Sequence, residues 1–329
     1  MDFCHNARQD SNRMNLETKR EREAVVRNSL IDLAPAQSIR ALKTSPPLSS
    51  VPPHSSAHYH RAFTLIELLI TISVISILSS ILLPSLSKAR ARAAGAASLN
   101  NTRQLLLAWN LYADDHQGRL PYNLGGTGRN PMGIRSSLNW VNNVLSWELD
   151  ADNTNSAALI EASLGGYVHR STTVYRCPTD RTLSAIQRQA GWKSRNRSYA
   201  MNAMMGNAGE LSLSGQNQNN PAYVQFFTSD SIPRPVDLFV FIEEHSDSIN
   251  DGYFINRAYS SEWLDLPASD HDRSAPLSFA DGHAEMHRWQ NSSTLRPSLP
   301  DGADLPISLR GEPQQDFEWI ISHMSNRSP

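Results

Sequence analysis

The side chains with the greatest chemical reach lie in the C-terminal half of the chain. In "DGHAEMHRW" (281–289), His283, Glu285 and His287 recur at every second position, and nine residues separate His271 from Asp281. Imidazole and carboxylate are zinc-ligand types, so a metal-dependent enzyme built on His271, Asp281 and His283 is one reading. The spacing weakens it. Alternate residues of a strand stand roughly 6.5–7 Å apart, and three in a row cannot easily converge at bonds of ~2 Å. A solvated strand face is the plainer reading of His283, Glu285 and His287, and a structural role that of His271.

A second cluster, "EEHSDSINDG" (243–252), holds Glu243, Glu244, Asp247, Asn250 and Asp251. Hard oxygen donors at this density suit calcium, with Glu244, Asp247 and Asp251 as candidate ligands. The D-x-D-x-D-G spacing of an EF-hand is missing, so a turn between two strands competes with calcium. No other cofactor is called for.

Nucleophilic chemistry finds little footing. The chain has no serine elbow, no H-E-x-x-H and no Cys–His pair with supporting context. Its two cysteines, Cys4 and Cys177, are too few and too distant for a disulfide framework or a cysteine metal cage. Cys177, next to Pro178, reads as a structural thiol. The "GGTG" at 125–128 lacks the Lys-Ser/Thr of a phosphate loop and reads as a plain loop. A formal charge of -2 gives no global basic field, so no nucleic-acid partner is expected. Together these patterns point away from an enzyme.

The elements that position these residues begin with an apolar run. "FTLIELLITISVISILSSILL" (63–83) has 21 residues and one ionisable side chain, Glu67. As a helix it spans about 31 Å, against a bilayer core of about 30 Å. It is too long for the apolar region of an ordinary secretory signal. Pro84 closes the run, and an amphipathic helix continues beyond it, with Ala97, Leu105, Ala108, Trp109 and Tyr112 as its apolar stripe. The helix as a whole is expected over 63–117.

Upstream, residues 1–62 are rich in Arg, Ser, Pro and His and cannot bury enough apolar area to offset chain entropy, so disorder is expected. A short helix through "LETKREREAVVRNSLIDL" and initiation at Met14 are alternatives there. Removing residues 1–62 takes nine of the 30 basic and six of the 32 acidic residues, which leaves 21 and 26 in residues 63–329. That balance is ordinary for a soluble exported domain.

The organisation expected is a leader (1–62), a transmembrane helix (63–84), its exported continuation (85–117), an α+β domain (118–289) and a tail (290–329). "NSAALIEASLGGYV" reads as a short helix stopped by Gly-Gly. "TTVYRC", "RSYAMN", "AYVQFF", "DLFVFIEE", "LSFAD" and "HAEMHRW" read as strands. Asp281-Gly282 predicts a two-residue hairpin turn. Phe279 then pairs with Ala284 and Leu277 with Met286, and these four form an apolar face on the long helix. In the tail, "QQDFEWIISHM" predicts a helix that docks Phe317, Trp319, Ile320 and Ile321 on the sheet.

Two resemblances join these readings. "RAFTLIELLITISVISILSSILLP" resembles the class III signal of type IV prepilins and type II secretion pseudopilins. The family has a Phe after the cut, Glu as the fifth mature residue and Pro commonly as the twenty-second. Here those positions fall on Phe63, Glu67 and Pro84. The resemblance implies cleavage between Ala62 and Phe63 by a prepilin peptidase, N-methylation of Phe63, and pairing of Glu67 with a neighbouring subunit's terminal amine. Ala62 stands where the family usually has Gly, and the leader is longer than usual. The cationic residues do not orient the helix, because Arg61 is opposed by Lys88, Arg90, Arg92 and Arg103. The motif implies a cytoplasmic leader and a periplasmic or extracellular C-terminal domain.

The spacing of His271 from Asp281-Gly282 is similar to the H-X9-DG pattern of a large prepilin-like group. "VYRCPTD" (174–180), "SYAMN" (198–202) and "FIEEHSDSINDGYF" (241–254) resemble its other recurring segments. The implied fold is pilin-like α+β, one long helix against an antiparallel sheet. The implied function is a structural subunit in the inner membrane that assembles with other pilin-like subunits into a type II secretion pseudopilus or type IV pilus-like filament. The alternatives are a membrane-anchored exported binding module and the metal-dependent enzyme above.

Overall fold

The computed structural model describes residues 63–125, 135–300 and 302–328. The expected leader, the short helix within it and most of the "GGTG" loop lie outside the described residues.

Helix α1 covers Leu65–Asp115, 51 residues, and runs through position 84 without a break. Thr64 caps it. The Glu67 amide donates to Thr64 Oγ1 (3.3 Å) and the Thr64 amide donates to Glu67 Oε2 (2.9 Å), a reciprocal capping box. The first 19 residues of α1, Leu65–Leu83, leave their large apolar side chains uncovered. The hydroxyls of Thr71, Ser73, Ser76 and Ser80 donate back to carbonyls three or four residues earlier (2.7–2.8 Å). These four hydroxyls are thus satisfied within the helix, as an apolar solvent demands. Among the described residues this is the one helix long and apolar enough to cross a membrane, and its apolar window is not buried in the molecule.

The second half of α1 is a core element. Ser98, Thr102, Leu105, Trp109 and Tyr112 are buried at steps of four and three, one face of a 3.6-residue helix. Ala97, expected on this face, is exposed. The stripe begins instead at Gly95 and Ser98, because the upper helix meets a polar part of the domain rather than its apolar core.

After α1 come the short helices α2 (Ala157–Ile160) and α3 (Ala185–Gln189). Strands β1 (Tyr199–Asn202), β2 (Gln216–Asn217), β3 (Asn220–Val224), β4 (Phe239–Glu243) and β5 (Tyr253–Phe254) follow. They are succeeded by β6 (Glu262–Trp263), β7 (Ser274–Phe279), β8 (Ala284–Arg288), β9 (Ile307–Ser308) and helix α4 (Gln315–Met324). The main sheet has the order β5-β1-β4-β7-β8. All its pairings are antiparallel except β1 with β5, which are parallel. The fold is α+β and pilin-like, a long helix on an antiparallel-dominated sheet.

Two apolar clusters flank the sheet. Leu105, Trp109 and Tyr112 of α1 pack with Tyr199, Met201, Val240 and Phe241. On the other face Ala200, Ile242, Leu277 and Phe279 pack with Trp263 and with Phe317 and Ile320 of α4. Trp319 and Ile321 are only partly buried there.

Two local expectations are corrected. "TTVYRC" forms a 3-10 turn over Thr172–Tyr175 rather than a strand. Adjacent Val174 and Tyr175 are both buried, which a half-buried strand cannot arrange, and Asn101 of α1 donates to the carbonyls of Thr173 (3.3 Å) and Arg176 (2.9 Å). The helix read from "NSAALIEASLGGYV" stops after Ile160, and Gly165 is required there because a Cβ would lie 2.2 Å from the Ile160 carbonyl oxygen.

The β7–β8 hairpin is also one residue out of the expected register. Ser278 faces Ala284, Leu277 faces Glu285 and Pro276 faces Met286. Asp281 keeps a negative φ, so no two-residue type I′ turn forms. Instead Phe279 N donates to His283 O (2.9 Å), Gly282 N donates to Phe279 O (3.0 Å), and Gly282 alone takes φ 103°. The turn is a three-residue loop. A one-residue slip flips a strand's faces. Leu277 and Phe279 therefore look away from α1, while Met286 looks toward it, 3.4 Å from where a Cβ on Gly95 would stand.

Candidate functional site

The N-terminal site is built by the start of α1. Glu67 sits in the first turn, where an acid complements the helix dipole. Its Oε2 accepts from the Thr64 amide and from Thr64 Oγ1 (2.8 Å). The carboxylate thus has a partner within its own chain. The signal for this was present in "TLIE", a Thr-x-x-Glu box, and the reading of Glu67 as an intersubunit partner passed over it. Phe63 is exposed. Ala62 lies outside the described residues.

A second polar site lies inside the domain, where α1 crosses the sheet. Cys177 follows the 3-10 turn, Glu243 ends β4, and His271 stands just before β7. His271 Nε2 is 3.1 Å from Glu243 Oε2 and 3.4 Å from Cys177 Sγ. Ser98 of α1 donates to Glu243 Oε2, and its Oγ is 2.6 Å from the Tyr199 hydroxyl. All five residues are buried. Burial alone would push the His271 imidazole down, but its hydrogen bonds to Cys177 and Glu243 overcome that and raise its pKa to about 10. Burial, followed by the charge of Glu243, pushes the Tyr199 hydroxyl well above its usual range.

Asp281 and His283 lie at the far end of β7, in the turn. Asp281 Oδ1 accepts from the His283 amide (3.1 Å) and pairs with its Nδ1 (2.6 Å). The His283 ring stacks on Phe279 with centroids 4.3 Å apart. Strand β7 has six residues, about 16 Å end to end at ~3.3 Å rise, so His271, Asp281 and His283 do not come together. The nine-residue spacing therefore has a structural content: it places a histidine in the core at one end of a strand and a turn at the other. His287 is not simply solvated either, since it stacks on Trp319 at 3.8 Å.

The calcium candidates point different ways. Glu244 Oε1 accepts from Ser248 Oγ (2.8 Å), both Asp247 oxygens accept from the Leu299 amide (2.8 and 3.0 Å), and Asp251 Oδ1 accepts from the Tyr253 amide (2.9 Å). Among the described residues the acids of this loop do not converge on a shared point.

Asp265 does share a buried environment with Glu244. Burial, with the added charge of Asp251, pushes the Asp265 carboxyl well above its ordinary value of 3.8. Burial and the Asp265 charge do the same to Glu244, against the opposing Arg197 guanidinium. A raised folded-state pKa means that the native chain holds a proton the unfolded chain releases. Stability from this site is full below about the unfolded value and is lost as pH rises toward the raised one. Asp265→Asn keeps an acceptor for the Ile255 amide, which donates to Asp265 Oδ2 at 2.7 Å. Denaturant unfolding should find the variant more stable than the parent at pH 8, with the gap closing toward pH 4. A pH-independent gap would contradict this account.

Of the positions that carried the resemblance, residues 58–83 match the family model described as the prokaryotic N-terminal methylation motif. The match spans Ala62, Phe63 and Glu67 and supports a class III signal of the prepilin and pseudopilin kind. No curated protein and no solved structure matches the chain.

Proposed function

We propose that the chain is a structural, non-enzymatic subunit. In this reading it is held in the inner membrane by the first half of α1, cut between Ala62 and Phe63 by prepilin peptidase, methylated on Phe63, and assembled with other pilin-like subunits. The filament is a type II secretion pseudopilus or a type IV pilus-like fibre, and residues beyond the membrane segment lie on its periplasmic or extracellular side.

The observation that carries this reading is the methylation motif on a helix whose two halves are treated oppositely. One face of residues 98–113 is locked into the domain's core, whereas the large apolar residues from Leu65 to Leu83 have no cover among the described residues. Lipid can cover them in a single subunit, and the same helices from neighbours can cover them in a filament. Cleavage would create a cationic amine on Phe63, whose unperturbed pKa of about 7.7–8.0 leaves much of it charged near neutrality. Glu67 is the one acid in the apolar run that can neutralise it. Within a single chain that acid is engaged by Thr64, so assembly exchanges an internal cap for a contact between subunits.

Cross-linking of intact membranes that carry the full chain with its peptidase tests the reading. A ladder of chain multimers is expected. Monomers alone, with the chain folded and inserted, would favour an anchored binding module instead.

A further inference from the structure

We propose that Cys177, Glu243 and His271 form a binding site for a zinc-type divalent cation within the folded domain. The first argument is convergence. The three ligand atoms all lie within 4.8 Å of one another. Tetrahedral zinc, with bonds of ~2.3 Å to sulfur, ~2.05 Å to nitrogen and ~2.0 Å to oxygen, sets its ligand atoms about 3.5 Å apart for sulfur–nitrogen and about 3.3 Å apart for nitrogen–oxygen. The observed separations are 3.4 Å and 3.1 Å.

The second argument is proton accounting. Cys177 Sγ and Glu243 Oε2 both approach the same imidazole nitrogen, Nε2. One ring nitrogen carries either one N–H or one lone pair, so it can serve a single partner well. A hydrolase-type triad would instead place the thiol at one ring nitrogen and the carboxylate at the other. Three ligand atoms this close, with one nitrogen shared between two of them, are what a cation completes. Binding would release the thiol proton, so a thiolate and the carboxylate would face the ion, and a divalent charge would cancel both.

The surroundings fit a metal site's outer contacts. Ser98 donates to the Glu243 carboxylate, and Thr179 Oγ1 lies 3.1 Å from Cys177 Sγ, so two of the three ligands are held by hydroxyls. Cys177, Glu243 and His271 are all buried, which suits a staple rather than an open catalytic centre. The ion would join the turn before α3, the end of β4 and the start of β7 beneath Gly95 and Ser98 of α1. It would tie the long helix's docking face to the sheet, independently of whether the chain assembles.

The full chain in detergent, stripped with a chelator and titrated with Co²⁺, tests this. One equivalent should give tetrahedral d–d bands and a near-ultraviolet thiolate-to-cobalt band, and Zn²⁺ should displace it and raise the thermal midpoint. Cys177→Ser, nearly isosteric, should lose the thiolate band while its near-ultraviolet circular dichroism stays native. His271→Gln should bind at least tenfold more weakly. A folded wild-type chain with no thiolate band, or one whose metal binding is unchanged by Cys177→Ser, would overturn the proposal.

Discussion

Glu67→Gln is expected to insert in the membrane and be cut after Ala62 but to fail in assembly. Glutamine at the third helical position still accepts from the Thr64 amide, so the capping box and the start of α1 survive. Only the charge is lost. In a packed bundle the Phe63 amine of a neighbour would then be buried without its counter-ion, at a cost of about 3–5 kcal/mol per contact. That is at least a hundredfold in each association step, compounded along a filament. Glu67→Ala should fail as well, with the helix cap weakened in addition. The measurement is the yield of multimers from cross-linked membranes at equal expression. Wild-type yield from Glu67→Gln would show that the acid serves the helix start alone.

The second large effect lies at the other end of α1. Trp109 is almost fully buried against β1 and β4, and its indole N–H has no hydrogen-bond partner among the described residues. Trp109→Ala removes a large side chain from the apolar face by which the helix grips the domain, for an expected loss of about 3–5 kcal/mol. Trp109→Phe keeps most of the packing and removes the unpartnered donor, so it should lose no more than about 1.5 kcal/mol. Denaturant unfolding followed by near-ultraviolet circular dichroism separates the two. Equal losses would mean that the indole's contacts do not hold the helix down.

The long helix was the most legible part of the sequence, because a 21-residue apolar run and a 3.6-residue stripe leave few alternatives. Its stripe was read slightly wrong at the top, where Ser98 and Thr102, not Ala97, face inward. Polarity hid them, since a hydroxyl buried by hydrogen bonding looks like a surface residue in a hydropathy pattern. The hairpin was recognised but misregistered, because Asp-Gly fits both a two-residue turn and the three-residue loop that forms. Backbone dihedrals decide between those, and sequence does not display them. The buried Cys177–Glu243–His271 cluster was illegible for a different reason. Each residue lies in or beside a recognisable segment, yet 65 residues separate the first two and 27 the next two. The sheet order sets β4 beside β7 under α1 and joins Glu243 to His271, and the 3-10 turn held on α1 by Asn101 brings Cys177 to them.

Intact-mass and N-terminal analysis of the chain, extracted from membranes that contain prepilin peptidase, tests the central claim most directly. The account predicts a mature chain that begins with N-methyl-Phe63, so that the amine for Glu67 exists. A membrane-inserted, folded chain that retains residues before Phe63 in the presence of active peptidase would contradict it.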